Sequence, residues 1–149
     1  MGKPLSPDEN RTFHSALAIA DTLRNRMAHE LAPATGLSSA DYIVLNRLRD
    51  SPGQTYAGLK MLAAKLGWSA SRLSHQVSRM ERRGLVTRQQ ADKAGQVIIS
   101  ATDQAKDIMR DAVLVHADGV RRHLLTQLTE QEAHVLNTVA DRLRALPGG

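Results

Sequence analysis

The chain has 149 residues, 42% of them hydrophobic, which is enough for one compact domain with a core and too little for two large ones. Aromatic residues make up only 3% (one Trp, two Tyr, one Phe), so the core has to be built from Leu, Val, Ile, Ala and Met, a composition that favours helices over a β-sandwich. Cysteine is absent, excluding disulfides, a thiol switch and cysteine-ligated metals, while 20 Lys and Arg against 15 Asp and Glu give a net charge of +5 that suits a polyanionic partner.

No apolar run approaches the roughly 20 residues needed to span a bilayer. The first residues carry one cation, Lys3, and no following apolar block, so no secretory leader is expected and the chain reads as cytoplasmic. Ser6-Pro7-Asp8-Glu9 has the pattern of a helix start, with Ser6 as N-cap and Pro7 in the first turn. Ala16, Ala20, Leu23, Met27 and Leu31 follow at helical steps, and Pro33 and Gly36 are expected to end this helix near Leu31. Ser38 or Ser39 caps a second helix, carrying Tyr42, Val44, Leu45 and Leu48, that stops at Ser51-Pro52-Gly53.

A third helix is expected from Tyr56 to about Leu66, closed by Gly67. Ser69 caps a fourth, with Leu73, Val77 and Met80 at four- and three-residue steps, closed by Gly84. Leu85-Val86-Thr87-Arg88 and Gln96-Val97-Ile98-Ile99-Ser100 read as a hairpin whose loop runs from Gln89 to Gly95. Thr102 opens a long helix expected to reach about Leu128. Thr129-Glu130-Gln131-Glu132 is a capping box for a last helix with Val135, Leu136, Val139 and Leu143. The outer helices are too long to bury wide apolar faces in so small a unit, so a second copy of the chain is expected to cover them.

The stretch from Leu59 to Val86 carries the chemistry. A short helix, a glycine turn at Gly67 and an immediate second cap at Ser69 force two helices into a steep crossing, the helix-turn-helix arrangement. The second helix turns Leu73, Val77 and Met80 inward and presents Ser71, Arg72, Ser74, His75, Ser78 and Arg79 outward. Short hydroxyls allow close approach to a base edge, Arg and His reach acceptors such as guanine O6 and N7, and Arg82 and Arg83 at the helix end suit phosphates.

These segments, Leu62-Ala63-Ala64-Lys65-Leu66-Gly67-Trp68-Ser69 and Arg72 through Met80-Glu81-Arg82-Arg83-Gly84-Leu85-Val86, resemble the winged helix-turn-helix of the MarR family of bacterial transcription regulators. The resemblance covers nearly the whole chain, 1–149 as one domain. It implies a mainly α fold with a small β-hairpin wing, dimerisation helices at about 8–33 and 103–146, and a DNA-binding lobe at about 38–101. It further implies a homodimer that sets two recognition helices about 34 Å apart on a pseudo-palindromic operator. Ser71, Arg72, Ser74 and His75 would lie nearest base edges, with Gln54, Thr55, Ser69, Arg79, Arg82, Arg88 and Lys93 on phosphates or in the wing. Repression is the expected mode, with a small-molecule effector that Arg11, His14, His29 and Tyr42 could contact. Wings of this family usually carry Asp-x-Arg near the tip; here Asp92-Lys93-Ala94 offers Lys93 instead of an arginine, a poorer fit to a narrow minor groove.

Rival readings have less support. His116 and His123 are seven residues apart, about 10.5 Å along a helix, and cannot share a zinc unaided. A zinc-responsive regulator of the same fold and a helical protein-binding adaptor remain as alternatives. The chain lacks a nucleophile elbow, a phosphate loop and a His-Glu-x-x-His motif, and the adjacent Ser74 and His75 point about 100° apart, so no enzyme activity and no cofactor are expected.

Overall fold

The computed structural model describes residues 2–92 and 95–146. Six helices and three short strands alternate along it: α1 (Pro7–Thr35), α2 (Ser39–Arg49), β1 (Thr55–Ala57), α3 (Leu59–Leu66), α4 (Ala70–Arg82), β2 (Val86–Gln90), β3 (Val97–Ala101), α5 (Asp103–His123) and α6 (Glu130–Arg144). The strands form one antiparallel sheet in the order β1-β3-β2, with Arg88 opposite Ile99 on one side and Tyr56 opposite Ile99 on the other. Among the described residues no helix is long and apolar enough to cross a membrane.

Local chemistry accounts for most of the boundaries. At the start of α1 the Ser6 amide donates to the Glu9 carboxylate at 2.7 Å and the Glu9 amide to Ser6 Oγ at 3.3 Å. Ser38 with Asp41 and Thr129 with Glu132 make the same reciprocal boxes for α2 and α6. These bonds hold the Glu9 and Glu132 carboxyls below their usual range. Thr102 Oγ1 accepts from the Ala105 amide at 3.1 Å and donates to the Gly84 carbonyl at 2.6 Å, capping α5 and tying it to the end of α4.

Four boundaries differ from the sequence expectation. Helix α1 continues through Pro33 to Thr35 rather than ending near Leu31. A proline in the last turn removes one amide, and Thr35 Oγ1 bonds the Leu31 carbonyl at 2.7 Å before Gly36, at φ +73°, ends the helix. Tyr56 lies in β1, not in α3, because Thr55–Ala57 pairs with β3 some forty residues on and Gly58, at φ +91°, breaks the chain before the helix. The hairpin strands extend to Gln90 and start again at Val97, which shortens the loop. Helix α5 stops at His123, about 32 Å long, and a 3₁₀ turn over Leu125–Gln127 fills the gap to α6. No Gly or Pro marks that stop.

The chain divides into two compact units, one of Ala28–Val115 and the other of the residues up to Met27 together with those from His116 onward. The first holds the core: Val44, Leu45, Leu48, Leu62, Leu73, Val77, Met80, Leu85, Val86, Ile99 and Ala105 all pack there with almost no exposure. The second has no buried hydrophobic residue among those described. Its α1 and α6 segments expose Phe13, Leu17, Ile19, Val135, Val139 and Leu143, the last at 63%.

Candidate nucleic-acid interface

The site grows from the joint between α3 and α4. Gly67 adopts the left-handed conformation at φ +66°, its amide donating to the Ala64 carbonyl at 3.1 Å, and the next amide, Trp68, donates to the Ala63 carbonyl at 2.9 Å. This pair of bonds is a Schellman turn, which stops α3 and reverses the chain within two residues. Ser69 then caps α4, its Oγ accepting from the Arg72 amide at 3.2 Å. Leu73, Gln76, Val77 and Met80 are buried on the inner face of α4, so Ser71, Arg72, His75, Arg79 and Arg82 are left exposed and Ser74 and Ser78 half-buried.

A polar lock fixes the roll of α4. Asp41, from α2, is 1% exposed. Its Oδ1 accepts from Gln76 Nε2 at 2.7 Å, and its Oδ2 accepts from Arg83 Nη1 at 2.7 Å and from the Ser38 amide at 2.8 Å. Arg83 Nη2 also donates to the Gly36 carbonyl at 2.7 Å, and Arg79 Nη2 to Gln76 Oε1 at 2.6 Å. A buried carboxylate with three donors is satisfied and sets a unique docking angle for the helix above it. Arg83, read from sequence as a phosphate ligand beside Arg82, is instead held by Asp41. Sequence reasoning missed this lock, since only a fold that stacks α4 on α2 brings residues 41, 76 and 83 together.

A second tie holds the hairpin. Arg88 on β2 is half-buried and donates through Nε and Nη2 to Glu81 Oε2 at 3.0 and 2.7 Å, and through Nη2 to Ser78 Oγ at 3.1 Å. Arg88 therefore joins β2 to α4, in addition to any phosphate it could meet. The Arg88 guanidinium holds the Glu81 carboxyl below the usual range, with slight burial opposing it. A depressed carboxylate pKa means the tie is fully present above the ordinary carboxylate range and is lost only as the pH falls through the lowered value. Arg88→Ala should return the Glu81 titration, followed by carboxyl NMR shifts, to the ordinary range; an unchanged titration would show that the tie does not form in solution.

The other expected contacts are spread around this centre. Gln54, with φ at +55°, closes a 3₁₀ turn after Pro52, and Thr55 Oγ1 donates to the Pro52 carbonyl at 3.2 Å as β1 begins. Arg82 is exposed and has no ion pair among the described residues, whereas Arg72 lies over the Trp68 ring at 4.0 Å. Lys93 lies outside the described residues. Tyr42, considered as an effector contact, is part of the core, and burial pushes its hydroxyl pKa up. Among the described residues no three His, Asp or Glu side chains gather as a metal site requires.

No family model and no curated protein matches the sequence. Solved structures do. AbsC of Streptomyces coelicolor, a MarR family transcriptional regulator, is 28% identical and superposes with a TM-score of 0.87 over 97% of this chain and 100% of its own. The chain has the fold of the MarR family. Sco3205 of the same organism, a MarR family regulator solved in complex with DNA, gives a TM-score of 0.89 at 22% identity, over 99% and 97% of the two chains. The organohalide-sensing regulator RdhR-CbdbA1625 in its 2,4-dichlorophenol-bound form gives 0.81 at 21% identity, over 97% and 85%. The MarR fold accounts for the joint at Gly67, the exposed face of α4 and the antiparallel hairpin that follows it.

Proposed function

We propose that this chain is a sequence-specific, DNA-binding transcription regulator, a repressor that works as a homodimer on a pseudo-palindromic operator in the cytoplasm. The observation that carries the reading is α4 itself: a helix with its inner face sealed into the core, its roll fixed by Asp41, and an outer face that exposes Ser71, Arg72 and His75, with Ser74 half-buried beside them, for base edges. It supports a binding module rather than an enzyme. Arg79, Arg82, Ser69, Gln54 and Thr55 flank that face, where phosphates of the same groove would run.

The dimer is supported by the second unit. An apolar groove of about 810 Å³ is lined by Ile19, Leu23, Leu124, Val135, Leu136 and Val139, and the same unit also exposes Phe13 and Leu17. A helix without buried apolar contacts is marginal in water, so a groove and a ridge on one unit call for a second copy as occupant. An effector that alters the spacing of the two recognition helices would cost one half-site its register and release the operator. The dichlorophenol bound by the organohalide sensor suggests a small aromatic, weakly acidic molecule for that role.

Fluorescence anisotropy on a duplex enriched by the protein, and on a random duplex at several salt concentrations, tests the reading. Arg72→Ala should cost about 1–3 kcal/mol on the enriched duplex and little on the random one. Arg82→Ala should weaken both alike and reduce the salt slope by about 1. Equal losses on both duplexes from Arg72→Ala would reject its assignment to a base edge.

A further inference from the structure

We infer that Trp68 is a specificity-determining positioning residue, an indole platform that holds the Arg72 guanidinium in place for reading guanine. The inference rests on the DNA-binding reading and adds a residue to it. Trp68 occupies the joint of the helix-turn-helix, last residue of the Schellman turn of α3 and immediately before the Ser69 cap of α4. Its backbone is fixed by the 2.9 Å bond to the Ala63 carbonyl, and its half-buried ring packs against the core. The ring is therefore a rigid surface at the start of the recognition helix.

Arg72 is tied to that joint twice, by its amide to Ser69 Oγ at 3.2 Å and by its guanidinium carbon 4.0 Å from the Trp68 ring centroid. The contrast with neighbouring arginines is informative. Arg79 donates to Gln76, Arg83 to Asp41 and Arg88 to Glu81, so each gives up N–H donors to a protein acceptor. A ring face takes none. Over the Trp68 ring, Arg72 gives none of its five guanidinium N–H groups to an acceptor among the described residues, and two of them can match guanine N7 and O6. An arginine held this way loses less side-chain freedom on binding than a free one, which corresponds to roughly two- to tenfold in affinity for a site with guanine at that position.

The test is a double-mutant cycle on the full-length protein, using the duplex that wild type enriches from a randomised pool and a random duplex. Trp68→Leu should lower affinity for the enriched duplex roughly two- to tenfold and leave the random duplex and its salt slope unchanged. Trp68→Phe, which restores a ring, should recover most of the loss. In an Arg72→Ala background Trp68→Leu should cost nothing further. Additive losses, or equal losses from Leu and Phe, would overturn the platform; they would mean that Trp68 only packs. Trp68 is the only tryptophan, so a second readout is independent of how Trp68→Leu folds. Acrylamide should quench its fluorescence faster in Arg72→Ala than in wild type without DNA, because one ring face is uncovered, and equal quenching would overturn the stack. A wild-type protein that enriches no sequence would reject the DNA-binding reading itself, with the quenching result still deciding whether the stack exists.

Discussion

Asp41→Ala is expected to destabilise the Ala28–Val115 unit by about 3 kcal/mol, the largest loss of any single polar substitution in it. Three effects add. The Ser38 box loses its reciprocal half, the buried Gln76 amide loses its acceptor, and the Arg83 guanidinium loses its ion pair. A cap is worth about 1 kcal/mol and an orphaned buried donor about 1–3. Arg83 is half exposed, so water replaces part of what it loses. Asp41→Asn keeps an acceptor for Gln76 and should cost about half as much. Urea unfolding gives the numbers through a lower midpoint at unchanged slope. A loss under about 0.5 kcal/mol for Asp41→Ala would show that the lock does not carry the docking of α4.

The second large effect concerns the apolar surface of the other unit. Val139→Asp with Leu143→Asp should turn the proposed dimer into a monomer at micromolar concentration, as seen by sedimentation equilibrium. Both side chains are substantially exposed on one chain, at 43% and 63%, and both would be desolvated by a second copy, where an unpaired carboxylate costs several kcal/mol. Affinity for a two-half-site operator should fall at least a hundredfold, since each lobe would then bind without the local concentration supplied by the other. A wild-type chain that sediments as a monomer, or a variant that remains dimeric, would remove α6 from the interface.

What could be read in the sequence was the chemistry that is local. Ser6 with Glu9 and Thr129 with Glu132 announce helix starts because donor and acceptor are three residues apart, and Leu73, Val77 and Met80 announce the inner face of α4 by their spacing alone. Gly67 and Ser69 placed the joint for the same reason. Long-range pairing was not legible. The strand at Thr55–Ala57 exists through its bonds to β3, and Tyr56 by itself fits a helix as readily. Nothing local in the sequence singles out Asp41, and Arg83 at a helix end reads as a phosphate residue, whereas the packing of α4 on α2 brings the two within 2.7 Å. Arg88 showed the same limit, for its partners Glu81 and Ser78 lie across the turn at Gly84. The end of α5 at His123 had no signal because neither Gly nor Pro stands there.

Selection of a randomised duplex pool by the wild-type protein, followed by sequencing, tests most directly whether two copies of α4 read DNA sequence. Enrichment of two inverted half-sites with centres about 10 base pairs apart is expected. A pool that returns without enrichment would contradict sequence reading, and a single enriched half-site would contradict the dimer that presents it.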